Sequence, residues 1–551
     1  MSRAPELVLA GRIATLAGDR GPAWVEALAI SGGRVVAAGR RDDIGSLAGS
    51  ATRRLELAPD EAAIPGLTDA HLHLASAALA RQSVDLAGAT TIAALVERFR
   101  ASAASHPNLE TWIDGGGWDP DALGRWPTAG DLELAAPGRR VALWAHDHHA
   151  LLASARALAE AGVGDASRDP AGGLIRRDAD GRATGVLHEA AAGLVAARIP
   201  PAGAARIAEA IEGLAAELVG LGVVAVHDPG MLAPADGLGG AVAAYRALAA
   251  DGRLDVRVHA CVRPEQLEAA IAEGLRSGAP LGPDPLGRLH MGWLKTFADG
   301  SLGSRTAALL EPLEPLPDEP APPNGGLGVW LTPPEELSAQ ARRAAANGIA
   351  TQIHGIGDAA VRAALDALAG TAGATPLMPR IEHAQLVADA DLPRFAALGV
   401  AASMQPVHVR SDAAKARRLW GARAEARGYA LAGILASGAV VAAGTDAPVE
   451  PADPWPGVAC AVTRSGRDWA PGTPPFGPQH ALDLWQSLRS WSVGPAVTAG
   501  EVDRGRLTPG QRADLVVLPA AALATPVEPG GALWRARPRL VLMDGRVVVE
   551  R

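Results

Sequence analysis

Ile64-Pro65-Gly66-Leu67-Thr68-Asp69-Ala70-His71-Leu72-His73-Leu74 is a short, mostly apolar run that ends in two histidines one residue apart. Read as a strand, it turns alternate residues to one face, so His71 and His73 point the same way. Two imidazoles on one face, close to Asp69, suit a divalent cation. The pair alone says little: fourteen His among 551 residues give roughly 0.35 His-x-His pairs by chance. Recurrence gives it weight. Strand-like apolar runs are predicted at 64–73, 223–228, 254–262, 290–297, 349–354, 378–383, 399–404 and 439–446. Five of them end in groups able to hold a metal: His71 with His73, then Lys295, His354, His383 and Asp446.

Ala-rich helical patterns sit between most of these runs, as at 202–220, 264–275, 335–347 and 427–437. Strands alternating with helices predict a parallel α/β fold. Eight such strands predict a TIM-type (β/α)8 barrel over 64–499, with the strand-end residues lining its catalytic face. Two segments break the repeat. The stretch from about 75 to 200 is far longer than one crossover helix needs, and it holds Trp112, Trp118, Trp126, Trp144 and the cluster His146-Asp147-His148-His149. It is expected to form an inserted cap. The second segment is Glu311–Asn324, where six prolines forbid regular structure. A loop of that length inside a compact domain is expected to act as a lid.

Both ends of the chain read as short strands. Ala27-Leu28-Ala29-Ile30 and Arg34-Val35-Val36-Ala37-Ala38 flank the turn Ser31-Gly32-Gly33, a hairpin signal. Asp514–Leu518, Leu540–Met543 and Arg546–Val549 read the same way, the last two around Asp544-Gly545. Neither end has enough strands for a stable sheet of its own. Residues 1–63 and 500–551 are therefore expected to pair into one composite β-sandwich domain.

Composition narrows the function classes. A chain that is 48% hydrophobic and 20% charged is globular, and 551 residues exceed one ordinary core. The net charge of −9, without a Lys/Arg-rich block, argues against a nucleic-acid surface. Cys261 and Cys460 are the two cysteines and lie far apart, so neither a thiolate zinc site nor a disulfide framework is expected. The first residues lack a basic region before an apolar one, and no run of eighteen apolar residues occurs. A cytoplasmic protein without membrane partners is the expectation, with a homodimer left open.

Several segments together resemble the amidohydrolase superfamily, in the branch typified by N-substituted formamide deformylase. They are Gly66–His73, Lys295–Ala307, His354–Asp358, Arg380–Gln385, Ser403–Pro406, Gly444–Glu450 and Leu507–Leu518. The resemblance implies a metal-bearing barrel beside a β domain built from both termini. It implies that His71, His73, His354, His383 and Asp446 form the metal site, which holds one or two divalent ions, zinc first. Lys295 leaves alternatives open: carbamylated by CO2 it bridges two metals, and unmodified it pairs with substrate or stays unbound.

The residue types then predict hydrolysis. A divalent metal makes hydroxide available from water near neutral pH, and Asp446 takes a proton and returns it to the leaving nitrogen. The expected substrate is a small molecule with a non-peptide amide or formamide bond. A deaminase or cyclic-amide hydrolase on the same barrel is the alternative, and a non-catalytic scaffold is a third reading that should have lost ligands. His148 and His149 are candidate substrate contacts from the cap, or else surface histidines. Arg305 binds a substrate carbonyl or carboxylate, or else forms an ion pair. Asp299 and Asp358 either orient metal ligands or cap local backbone.

Overall fold

Val223-Val224-Ala225-Val226 is apolar throughout, as a strand covered on both faces must be, and every residue of Val223–Asp228 is buried. It is one of eight parallel strands: β1 (Leu67–Asp69), β2 (Val223–Asp228), β3 (Arg257–Val262), β4 (Leu289–Phe297), β5 (Thr351–Gly355), β6 (Arg380–His383), β7 (Ala401–Met404) and β8 (Val441–Ala443). They pair in sequence order, all parallel. The ring closes just past β1 and β8, where the Ala70 N–H donates to the Ala443 carbonyl at 3.0 Å. The computed structural model describes residues 4–106, 108–231, 238–315 and 323–551.

Helices follow most strands and cover the barrel. The longest, Ala204–Gly220, buries Ile207, Ala210, Ile211, Leu214, Ala215 and Leu218, spaced to make one apolar stripe. Removing one such leucine costs about 2–5 kcal/mol, because the cavity left collapses only in part.

The predicted run at 64–73 divides into two elements. Glu61–Pro65 belongs to a different sheet, and β1 begins at Leu67. Gly66 is the hinge: its N–H donates to Asp514 O at 2.9 Å, and a Cβ there would lie 2.8 Å from Val224. Glu61–Pro65 joins a sheet ordered Arg546–Glu550, Leu540–Met543, Leu515–Pro519, Glu61–Pro65, Leu7–Ala14, Trp24–Ser31, Arg34–Gly39, with Arg53–Glu56 beside Leu7–Ala14. Strands from both ends of the chain thus share one connected sheet, and the predicted hairpin forms its edge.

Between β1 and β2 the chain builds a third sheet, ordered Gly173–Arg177, Ala183–Glu189, Ala150–Ala153, Arg140–Ala145, Trp112–Trp118, Val84–Asp85. It has its own core, with Phe99, Trp118, Leu143 and Val186 fully buried. This is the inserted cap. The Pro-rich segment lies partly outside the described residues, at 316–322. Its near flank docks on the helix His408–Trp420, through Glu314 N to Leu419 O at 2.9 Å. Among the described residues, no helix is long and apolar enough to cross a membrane.

Candidate active site

His71 and His73 do not lie on a strand. β1 ends at Asp69, and the chain continues extended but tied alternately to its two neighbours. Leu72 N donates to His227 O at 3.2 Å and His73 N to Ala447 O at 3.0 Å, while His71 O accepts from Asp446 N at 2.7 Å. Alternate tethering keeps both imidazoles on one side, so the sequence argument reaches the right geometry for the wrong element. Asp69 fixes the junction from within. Its carboxylate accepts from His71 N at 3.1 Å and from Thr445 Oγ1 at 2.6 Å. Such closeness of β1 and β8 needs Gly444, where a Cβ would lie 2.4 Å from His71 N.

Asp446 stands at the centre of the imidazoles. Its Oδ1 is 3.3 Å from His71 Nε2 and 3.5 Å from His73 Nε2, and its Oδ2 is 3.9 Å from His383 Nδ1 and 3.7 Å from His408 Nε2. Two triads therefore share one carboxylate: His71, His73, Asp446 and His383, His408, Asp446. Asp446 and His383 hold left-handed backbone at φ 62° and 72°, a strained conformation typical of residues held for a function. His354 completes the histidine cluster with its ring 4.5 Å from that of His383.

The donor set suits a cation. His71 Nε2, His383 Nδ1, His408 Nε2 and Lys295 Nζ are buried and lack a hydrogen-bond partner, which such groups rarely tolerate unless a ligand satisfies them. The charge states of three imidazoles agree, while at His71 the effect of burial is outweighed by Glu382 and Asp446, which raise its basicity. Burial pushes His73 down to about 4 and holds His354 and His383 well below the usual range, so their lone pairs are free to donate. Asp446 stays ionised. Burial alone would raise it, but His71 and His73 hold it well below the carboxylate range.

Other buried groups orient these donors. His73 Nδ1 donates to Gly230 O at 2.6 Å, which turns Nε2 toward Asp446. His71 Nδ1 bonds Glu382, whose other oxygen lies 2.6 Å from Arg380 Nε. Arg380 directs its own N–H groups to Gln352 Oε1, His227 Nδ1 and Ala70 O. A layer of polar side chains thus fills a barrel interior that is ordinarily aliphatic, and it places His227 in a supporting role. Lys295, on β4, projects into this layer. Burial lowers its ammonium to about 7.

A cavity of about 560 Å³ opens between barrel and cap, lined by His73, Lys295, His354, His383 and Asp446 below and by Trp144 and His146–His149 above. Both cap histidines of the sequence prediction reach it. His149 Nδ1 pairs with Glu189 Oε2 at 2.8 Å. Burial opposes its charge, but Glu189 and Asp147 raise it to about 9. His148 goes the other way, to about 4, through burial and the nearby His73. Asp147 latches cap to barrel, accepting from Ser301 Oγ at 2.6 Å and Ser304 Oγ at 2.9 Å.

Arg305 is not among the residues lining the cavity. It is buried, with Nη2 3.7 Å from the cap's Asp121 and its guanidinium 5.9 Å from the Trp126 ring centre. This geometry favours the ion-pair alternative and gives no support to a substrate contact. Asp299 accepts from three backbone N–H groups, of Ala308, Ile356 and Gly357, and lies 3.6 Å from His354 Nε2. It fastens the loop after β4 to that after β5. Asp358 accepts from Leu310 N, a structural role. The described flanks of the Pro-rich segment do not line the cavity.

Sequence reasoning missed His408, Glu382 and the cation Arg263 at the cavity wall. The strand-end rule could have found His408, which lies four residues after β7. No comparable signal marks Glu382, one residue before a histidine already chosen.

An amidohydrolase family model matches residues 58–549. The chain belongs to the amidohydrolase family. Among curated relatives, it is 31% identical over 523 residues to the Arabidopsis thaliana protein LONG AFTER FAR-RED 3, covering 93% of this chain and 86% of the relative. It is 25% identical over 508 residues to N-substituted formamide deformylase of Arthrobacter pascens, covering 90% of each. Among solved structures, an uncharacterised metal-dependent hydrolase of Pyrococcus horikoshii superposes with a TM-score of 0.71 at 29% identity, over 93% of this chain and 97% of that one. This amidohydrolase is a metal-dependent hydrolase with the barrel of its family.

Proposed function

We propose that this amidohydrolase cleaves a non-peptide carbon–nitrogen bond, an amide or formamide, with zinc held by His71, His73 and Asp446. The observation that carries the reading is the convergence of unpartnered imidazole nitrogens on one ionised carboxylate at the floor of the cavity. Nitrogen and oxygen donors without thiolate suit zinc. His354, His383 and Lys295 would hold a second ion if Lys295 is carbamylated, which its lowered basicity supports, since only the neutral amine reacts with CO2. When bound, the metal supplies water activation near neutral pH and polarises a carbonyl.

The chain's own residues do the rest. Glu382 holds His71 in the tautomer that presents Nε2. Asp446 takes the proton of the attacking water and delivers it to the leaving nitrogen. His149, kept charged by Glu189, faces the cavity as a hydrogen-bond donor. The cap supplies the upper wall of the cavity and so limits the water around the site. The similarity to N-substituted formamide deformylase makes N-formyl amines the first compounds to try.

The test is amine release from a panel of N-formyl and N-acyl amines with zinc-loaded enzyme. Hydrolysis of one or more, abolished by chelation and restored by zinc, is expected. A panel left intact by fully metallated enzyme, with ammonia released from amino-heterocycles instead, would replace this reading with a deaminase.

A further inference from the structure

Besides the charged His149, which is paired with Glu189, three lysine or arginine side chains line the cavity: Lys295, Lys415 and Arg263. Lys295 lies in the metal-site floor. Lys415 is held by the cap's Asp119 at 3.3 Å. Arg263, just past the end of β3, differs from Lys415. Among the described residues it has no carboxylate oxygen within ion-pair distance. Its Nη2 donates to Met231 O at 2.7 Å and its guanidinium carbon lies 4.6 Å from the centre of the Phe297 ring. The nearest acids form no ion pair with it. Asp228 accepts from Tyr245 Oη and from Gly230 N, and Glu265, exposed at the cavity wall, attracts it only from beyond contact.

A guanidinium drawn partly out of water without a contacting ion-pair partner is costly. It is also a planar fork that matches a carboxylate with two parallel N–H···O bonds. Its location fits a ligand rather than a structural partner. Phe297, on which it stacks, also lies 4.7 Å from Lys295 Nζ and packs its ring 5.1 Å from that of His354. One aromatic ring therefore touches the arginine and the floor of the candidate metal site. Apolar side chains also line the cavity, among them Met231 beside Arg263 and Leu302, Ile356 and Val449 elsewhere on its wall.

We propose that Arg263 recognises a substrate carboxylate, and that the substrate is a small amide with an apolar group and a free carboxylate a few bonds from the carbon–nitrogen bond. An N-acyl or N-formyl amino acid with an apolar side chain has this chemistry. The amide part rests on the function proposed above; the carboxylate part does not, and is read by binding alone.

The experiment uses a pair of ligands that contain no scissile bond. 2-Benzyl-4-oxopentanoic acid replaces the amide N–H of N-acetylphenylalanine by CH2, and its methyl ketone counterpart, 3-benzylhexane-2,5-dione, removes the charge without adding a carbon–nitrogen bond. Both are titrated calorimetrically into the zinc-loaded full-length protein and into Arg263→Gln, Arg263→Met and Arg263→Lys. The acid is expected to bind on the order of tenfold more tightly than the methyl ketone in the wild type, the margin of a charge-assisted over a neutral hydrogen bond. The preference should vanish in Arg263→Gln and Arg263→Met and survive in part in Arg263→Lys. Equal binding of the two by the wild type overturns the proposal. So does no binding of the acid, or a preference that persists in both uncharged variants. Loss of amine release from neutral amides would count against the hydrolase reading and leave this binding result standing.

Discussion

Glu382 does not face the cavity, yet replacing it by Gln should weaken metal binding. Its side chain is fully buried between His71 Nδ1 and the Arg380 guanidinium. For His71 to offer Nε2 as a lone pair, Nδ1 must carry the proton and an acceptor must receive it. Gln cannot serve both neighbours. With its oxygen toward Arg380, its NH2 meets His71 Nδ1 and selects the opposite tautomer, with a proton on Nε2 facing Asp446. With its oxygen toward His71, the NH2 opposes a guanidinium. Losses at such orienting groups run to about 10–100-fold in metal affinity, or roughly 1.4–2.8 kcal/mol. The assay is zinc competition against a chromogenic chelator, with apo-protein melting curves to separate folding from binding. His71→Ala provides the lower limit. Zinc affinity within twofold of wild type in folded Glu382→Gln, while His71→Ala loses the metal, would refute this role.

Replacing His71 and His73 together by Ala should remove bound zinc by elemental analysis and abolish hydrolysis, with the fold retained by circular dichroism; full activity in that protein would sink the metal-dependent reading. Asp446→Asn keeps an oxygen donor but is a poor base, so kcat should fall by about 10²–10⁴ with KM much less changed; kcat within a few-fold of wild type would move the proton transfer elsewhere. Lys295 should show a carbamate signal in the metallated enzyme under ¹³CO2, and a bare amine in active enzyme would exclude it. In the metal-free protein the lysine also predicts a pH dependence. Burial lowers its ammonium from 10.5 to about 7, so between these values the unfolded chain binds the extra proton. Its contribution to stability therefore falls as pH drops from 10.5 to 7 and is level below that. Urea unfolding at pH 7 and 10 should show Lys295→Met with a smaller difference than wild type, and identical differences would refute the shift.

The barrel was legible because strand-like runs alternate with helical ones, five of the eight leading into a residue of the candidate site. Val223–Asp228 fell on the same residues in both readings. The first strand was misjudged because apolarity continues from Glu61–Pro65 into β1 while the hydrogen-bonding partners change at Gly66; periodicity cannot register a change of sheet. Strand-end logic brought His73, Lys295, His354, His383 and Asp446 to one cavity, with His71 beside them. It did not extend to Arg305, whose segment returns under the cap toward Asp121.

What the pattern could not carry is the second layer of contacts. Glu382 and Arg380 alternate with apolar neighbours along β6, so on sequence alone they read as the polar face of a half-exposed strand. In the fold that face is the barrel interior, and both side chains are fully buried there. Charge in such a place is sustainable only because the members satisfy one another: Arg380 between Gln352, His227 and Glu382, and Glu382 on His71. The same argument distinguishes Arg263. It shares the interior's polarity but, among the described residues, has no carboxylate partner there. A cation left in that condition at the wall of a reaction cavity is where the choice of substrate would be made.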